Sequence, residues 1–416
     1  MVTGLKDKKF ALIGKTLGHS WFGKLHGMLA DYTYDLCEIR EDEIGSFLRS
    51  GVYDGFNVAA SYKEKVMNYL DSVTDRAREI GCVNTVVRRE GKLIGDNTDA
   101  DSFEWLLNKN KISPASKKVL VLGSGSTSKA VVRALEKLGA AEIVIVSRTG
   151  DNNYRNLDIH DNAHIIVNTT PVGMFPDVEN SPLSIRYFRD LEAVIDIIYN
   201  PSRTELMLEA ESCGIRAVGG IEMLTYQAKE ACELFIGRKI SSLSAVKAMT
   251  SLSVEMKNII LVGMPGCGKS TVAKELAKFT CREVIDTDDA VERTVGISIP
   301  EIFEIYGEDY FRKCESAVIK GACFGSGTVI ATGGGAILRE DNIKELRRNS
   351  VVVFLRREIE RLATDSRALR DNFNALSVLY KERIPLYLAA YDVIVDVCDT
   401  PRETMKAVLK AIYARN

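Results

Sequence analysis

Residues 263–271, G-M-P-G-C-G-K-S-T, constrain this chain more than any other stretch. An apolar strand pattern at 259–262 precedes them and a helical pattern at 272–279 follows. A G-x-x-x-x-G-K-[ST] match between strand and helix is a P-loop. Its glycines let backbone N–H groups converge on phosphate oxygens, and the helix behind it presents its positive dipole end. Gly266, Cys267, Gly268, Lys269, Ser270 and Thr271 are the expected triphosphate contacts. Lys269 would reach the outer phosphates and the Ser270 hydroxyl would bind Mg²⁺.

A long stretch of chain precedes this loop, and 416 residues suggest two or three domains. Apolar residues make up 46% and charged residues 27%, as in soluble globular proteins. A net charge of −2 offers no electrostatic attraction to nucleic acid or to a membrane surface. The 9 cysteines include no C-x-x-C pair and read as reduced thiols rather than a disulfide or zinc framework. With a short polar start at 1–9 and no apolar run of membrane length, the expectation is a cytoplasmic protein.

From residue 9 onward, apolar runs at 10–13, 34–39, 55–59, 84–87 and 93–95 alternate with helical patterns at 23–30, 41–48, 63–70 and 101–108. Such alternation predicts an open, mostly parallel α/β sheet. A second unit starts with a buried strand at 117–122, a turn at 123–128, a helix at 129–138 and a strand at 142–146. This is a dinucleotide-binding βαβ pattern with Gly123 and Gly125 in place and Ser128 where a third glycine is usual. At the end of the second strand stand Ser147, Arg148 and Thr149 rather than an acidic residue. A basic residue there favours the 2′-phosphate of NADP(H), although Asp151 close by carries the opposite sign. Ser126, Thr169 and Gly220 complete the expected cofactor side.

Several words, in fixed order, make residues 8–240 resemble the shikimate dehydrogenase family. They are G-x-x-x-x-H-S at 14–20, N-V-x-x-x-x-K at 57–63, V-N-T at 83–85 and G-D-N-T-D at 95–99. N-T-T-P-V-G-M at 168–174, D-x-x-Y-N-P at 196–201 and a helix at 222–235 carrying Gln227 follow. The resemblance implies NADPH-dependent reduction of 3-dehydroshikimate to shikimate, with Lys63 and Asp99 as the catalytic pair. It also implies that Ser20, Asn84, Tyr199 and Gln227 contact the substrate. Read alone, Lys63 is a solvated charge and Asp99 an N-cap for the next helix. Phe22 and Ala59 depart from the family pattern, which has serine and threonine hydroxyls there.

The Ser-rich stretch 241–257 reads as a linker. Behind the P-loop, strand patterns close before 289 and at 328–331, 351–355 and 392–397, and a last helix covers 402–413. With the P-loop strand, this predicts a small parallel-sheet domain like the nucleoside-monophosphate kinases. D-T-D at 286–288, Arg312 in Y-F-R-x-x-E, Gly333–Gly335 and Arg383 in R-x-P-L-Y make residues 258–413 similar to the shikimate kinase family. That resemblance implies Asp286 on Mg²⁺ with Ser270, Asp288 on the attacking hydroxyl, and Arg312, Arg383, Gly333, Gly334 and Gly335 around the acceptor. Arg367 in S-R-A-L is the matching lid arginine. Two guanidinium forks suit a substrate carboxylate.

The expected organisation is therefore a dehydrogenase-like unit at 1–240, with a substrate lobe at 1–100 and 221–240 and a Rossmann NADP lobe at 101–220. A kinase-like P-loop unit covers 258–416. The implied function is a bifunctional enzyme using NADP(H), ATP and Mg²⁺ on small molecules. An alternative keeps the kinase and makes the first half a catalytically weak or regulatory module.

Overall fold

The chain, seen in a computed structural model, is described at residues 4–18, 20–365 and 373–415. It divides into two compact units, Met1–Met249 and Thr250–Asn416.

In the first unit, the earliest apolar runs form a six-stranded sheet. Its strands are β1 (Lys9–Gly14), β2 (Thr33–Glu38), β3 (Gly55–Val58), β4 (Ser72–Val73), β5 (Thr85–Arg89) and β6 (Lys92–Asp96). They lie in the order β2-β1-β3-β5-β6-β4. β1 pairs parallel with β2 and β3, whereas β5 runs antiparallel to both β3 and β6. The segment expected as a helix at 63–70 is instead two 3₁₀ turns, Ala60–Tyr62 and Lys65–Tyr69. The Lys63 carbonyl explains the break, because it accepts the Val83 N–H at 2.8 Å instead of an amide of its own segment.

A second sheet follows: β7 (Lys118–Leu122), β8 (Glu142–Val146), β9 (Ile165–Asn168), β10 (Ala193–Asp196) and β11 (Arg216–Gly219). All pair parallel, in the order β11-β10-β9-β7-β8. β7 reads K-V-L-V-L with its last four residues buried, as a strand covered on both faces must. The chain leaves β7 for β8 on one side and returns to β9 on the other. A crevice therefore opens at the carboxyl ends of β7 and β9, where open α/β sheets take their ligands.

Residues 241–257, read as a linker from their serines, are ordered in regular structure. They form the helix Ser242–Met256. Ser241 starts it by accepting the Ser244 N–H at 3.1 Å, and Ala245, Ala248, Met249 and Leu252 are buried at helical spacing. The stripe mixes alanines with Met249 and Leu252, and the serines between them mask its spacing.

The second unit has β12 (Asn258–Val262), β13 (Val284–Asp286), β14 (Val329–Ala331), β15 (Ser350–Arg356) and β16 (Val393–Asp396). All are parallel, in the order β13-β14-β12-β15-β16. β12 and the first six residues of β15 are buried, and Val262, Phe354 and Leu355 belong to one apolar core with the helices around them. The helix Ile299–Cys323 is broken at Gly307, whose φ of +79° lies outside helical space. No helix of the described residues is long and apolar enough to cross a membrane.

Candidate functional site

The fold brings three of the expected dehydrogenase residues onto the carboxylate of a fourth, Asp99. Asp99 opens the helix Asp99–Lys109 and is fully buried. It does not cap that helix: Thr98 is the N-cap, and the Asp99 N–H donates to Asn97 Oδ1 at 2.9 Å. The Asp99 carboxylate is thereby left to other partners. Lys63 Nζ donates to Oδ2 as an ion pair, while Asn84 Nδ2 and Gln227 Nε2 donate to Oδ1 at 2.6 and 2.8 Å. Lys63 comes from the turn after β3, Asn84 from just before β5, and Gln227 from the helix Ile221–Ile236. Lys63 is only 8% exposed, so its ammonium is no solvated surface charge. Asn84 is itself fixed, since its Oδ1 accepts the Thr98 N–H at 3.0 Å and the Thr85 hydroxyl at 2.9 Å.

Ser20 and Tyr199 form a separate pair, hydroxyl to hydroxyl, and burial pushes the Tyr199 phenol above its usual range despite the Ser20 bond. Phe22 turns away from any polar role. It starts the helix Phe22–Leu29, is buried, and packs with His26 at 4.8 Å and Tyr34 at 6.3 Å between ring centres. His19 lies outside the described residues.

On the cofactor side, Gly123 ends β7 with φ +104°, a left-handed value that excludes most side chains. A methyl there would stand 2.9 Å from Thr169 Oγ1, which donates to the Leu122 carbonyl at 2.6 Å across the crevice. Gly125, by contrast, faces open space and caps the helix Ser126–Lys137. That helix begins three residues before the expected 129, so Ser126 sits in its first turn, where free N–H groups suit a pyrophosphate. Arg148 and Thr149 are exposed just past β8, and Arg148 has no ion-pair partner among the described residues. Gly220 donates to the Ile198 carbonyl at 2.9 Å, and any side chain there would strike the Ile197 carbonyl. These residues fit a dinucleotide with a phosphate on its adenosine ribose.

One residue behind these loops opens the D-x-x-Y-N-P word but was given no role from sequence. Asp196 accepts from Asn168 Nδ2 at 3.1 Å, the Thr204 hydroxyl at 2.7 Å and the Ile198 N–H at 3.1 Å. Burial pushes its carboxyl up to about 6 against those donors. The Asn168–Asp196 bond thus ties the loop carrying Thr169 to the loop carrying Tyr199.

In the second unit, Gly268 has φ +95° and caps the helix Lys269–Thr280, which starts three residues earlier than expected. Lys269 is buried and donates to the carbonyls of Gly263 and Met264 at 2.9 and 3.0 Å. Cys267 is fully buried beneath the loop, whereas Thr271 is exposed. The Ser270 hydroxyl donates to Asp286 Oδ2 at 2.5 Å, and Asp286 Oδ1 caps the next helix through the Asp288 N–H at 3.1 Å. One hydroxyl and one carboxylate suit Mg²⁺, which takes few protein ligands and keeps water and phosphate oxygens for the rest. Among the described residues no three His, Cys, Asp or Glu side chains gather as an all-protein metal cage.

The three consecutive glycines, expected around an acceptor, are hemmed in by the other expected residues, as what a methyl would meet shows. At Gly333 it would strike Asp288 Oδ1 and come within 3.0 Å of Glu315 Oε1. At Gly334 it would meet the Pro265 ring at 2.7 Å and Arg383 Nη1 at 3.2 Å, and at Gly335 the Arg312 guanidinium. Asp288, Arg312, Arg383 and Glu315 therefore converge on one backbone turn. Burial first, then Asp286 and Glu315, push the Asp288 carboxyl up to about 6, with Lys269 opposing. Burial works against the Arg312 charge, yet Glu315 and Glu308 hold its pKa above the usual value. Tyr387, one turn after Arg383, also reaches this region and was not singled out from the sequence, although it ends the R-x-P-L-Y word. Arg367 lies outside the described residues.

Comparison with known proteins gives the family. A shikimate dehydrogenase (NADP(+)) from Clostridium beijerinckii is 35% identical over 245 residues, covering 54% of this chain and 91% of that protein. The chain belongs to the shikimate dehydrogenase family. The model for the shikimate dehydrogenase substrate binding domain matches residues 12–86, and the shikimate kinase model matches residues 265–413. This is a fusion of the two. Among solved structures, shikimate dehydrogenase 1 from Peptoclostridium difficile superposes with a TM-score of 0.56 at 31% identity, covering 59% of this chain and 97% of that one. The shikimate 5-dehydrogenase of Thermus thermophilus, in complex with NADP(H) and shikimate, gives 0.53 at 28%, covering 59% and 99%. Those coverages are of the dehydrogenase part; the kinase part lies beyond them.

Proposed function

We propose that this two-activity enzyme of the shikimate pathway reduces 3-dehydroshikimate and then phosphorylates the 3-hydroxyl of the shikimate formed, using the residues named above. The convergence of Lys63, Asn84 and Gln227 on buried Asp99 carries the first half of the reading. When bound, NADPH supplies a hydride, and MgATP supplies the phosphoryl group and its charge neutralisation. Lys63 gives a proton to the alkoxide that develops as the ketone is reduced, and Asp99 keeps that ammonium charged and aimed. Asn84 and Gln227 orient the ring hydroxyls, and the Ser20–Tyr199 pair faces the substrate carboxylate. Arg148 reads the 2′-phosphate beside the crevice lined by Gly123, Thr169 and Gly220.

In the second unit, Asp288 accepts the proton of the attacking hydroxyl, and Arg312 and Arg383 fork onto the carboxylate of the same polyol. Lys269 would exchange its two backbone carbonyls for phosphate oxygens, and Ser270 and Asp286 would hold the metal. The substrates are small molecules, and a net charge of −2 supports no nucleic-acid or membrane partner. The nine free thiols support a reducing, cytoplasmic setting.

A coupled assay tests both steps. Given 3-dehydroshikimate, NADPH consumption should begin without nucleotide triphosphate, and phosphorylated product should appear only after MgATP is added. Phosphorylation of supplied shikimate with no turnover of NADP⁺ and shikimate would instead favour a dehydrogenase unit without catalysis. Slow ATP hydrolysis indifferent to shikimate would remove the kinase assignment.

A further inference from the structure

The nucleotide loop and the acceptor loop of the kinase unit meet at a single side chain. The Tyr387 hydroxyl lies 2.9 Å from the carbonyl of Gly263, which opens the P-loop, and 2.6 Å from that of Gly334 in the acceptor turn. One proton is shared between two acceptors, and the hydroxyl oxygen in turn bonds with Arg383, four residues earlier on the helix Phe373–Ala390. The ring is fully buried and stacks on Phe354 of β15, with centres 5.1 Å apart. A second contact joins the same loops: Gly334 lies so close to Pro265 that a methyl on it would stand 2.7 Å from that ring. The Gly263 carbonyl is also one of the two that hold Lys269.

From this arrangement we infer that Tyr387 is a positioning residue that couples the two substrate sites of the kinase. When Lys269 leaves the Gly263 carbonyl for a phosphate oxygen, Tyr387 becomes the remaining donor to that carbonyl. Its hydroxyl then shifts toward Gly263 or Gly334 according to which loop is loaded, and Arg383 shifts with it. Each ligand therefore changes the affinity for the other by the same factor, as linkage requires. A neutral hydrogen bond of this kind corresponds to about three- to tenfold in a binding constant.

The inference rests on the kinase reading, and the test separates the two. Shikimate affinity is measured by calorimetry on the full chain with and without MgADP, for wild type, Tyr387→Phe and Phe354→Leu. Wild type should bind shikimate about three- to tenfold more or less tightly with MgADP present. Tyr387→Phe should bring that factor close to one, the affinity for shikimate alone serving as the reference for each variant. Phe354→Leu, which keeps the hydroxyl, should lower the melting temperature and retain the coupling. Equal coupling in wild type and Tyr387→Phe, or none in wild type, would overturn the inference. Absence of shikimate phosphorylation by wild type would overturn the kinase reading beneath it.

Discussion

Lys63→Met and Asp99→Asn remove the two halves of one ion pair, and the structure predicts unequal consequences. Three donors, Lys63 Nζ, Asn84 Nδ2 and Gln227 Nε2, converge on the two oxygens of Asp99. Asparagine offers one oxygen and turns an NH₂ toward a donor, so at least one partner is left unmatched. The Lys63 ammonium, 8% exposed, also loses its counter-charge. Breaking a buried pair from this side costs about 3–5 kcal/mol. In Lys63→Met the carboxylate keeps both amide donors and the thioether chain fills similar volume, so the loss is nearer to about 1–3 kcal/mol. For a unit of this size each kcal/mol corresponds to roughly 2–4 °C in Tm. Both variants lose the proton-transfer partner, and kcat for shikimate oxidation by NADP⁺ should fall about 10²- to 10⁴-fold. The assay is cofactor reduction followed optically, with thermal melting of each variant and phosphorylation of supplied shikimate as internal control. Lys63→Met turning over within about tenfold of wild type would refute the proton-transfer role. Asp99→Asn melting no lower than Lys63→Met would refute the donor-count argument.

Arg148→Ala should raise KM for NADP(H) by about 10- to 100-fold and barely change KM for NAD(H), which the ratio of kcat/KM values for the two cofactors measures. Because burial and neighbouring carboxylates push Asp288 up to about 6, kinase kcat/KM measured with subsaturating MgATP should rise with pH through that value and level off above it. The sign for stability is opposite: the folded state holds this proton more tightly than the unfolded chain. The Asp288 contribution is therefore full below the ordinary carboxylate range and is lost as pH rises through about 6, and chemical denaturation of Asp288→Asn should lack that component. In Gly335→Ala the new methyl meets the Arg312 guanidinium, so KM for shikimate should rise at least about tenfold while NADP⁺-dependent oxidation stays at wild-type rate.

The two glycine-rich loops were legible because their backbone geometry leaves few residue choices, and the βαβ order around them followed from apolar runs of strand length. Helix starts were less legible. Ser126 and Lys269 both enter their helices three residues before the apolar periodicity begins, since a first turn needs free N–H groups rather than a buried face. The helix Ser242–Met256 was hidden for a related reason: its buried residues, Ala245, Ala248, Met249 and Leu252, are interleaved with serines that dilute the apolar pattern. Asp196 and Tyr387 stood inside quoted words but received no role, because a carboxyl accepting from a neighbouring strand, or a phenol between two loops, shows its partners only in the fold.

By itself, the sequence determined the chemistry available: a phosphate-binding loop, a basic residue where a 2′-phosphate sits, an ammonium and a carboxylate in each half, and two guanidinium groups. These are properties of residue type and short spacing. Only the tertiary structure decided which of them share a site. Lys63 and Asp99 lie 36 positions apart and Gln227 another 128 beyond, yet all meet because β3, β5 and the helix Ile221–Ile236 pack around one buried carboxylate. The same holds for Gly333–Gly335: the sequence marked them as acceptor contacts, and packing shows why they are glycines, since Asp288, Arg312 and Arg383 fill the space where their side chains would be. Local sequence specifies a backbone's preferences, but a charge has a partner only when long-range packing excludes water from both.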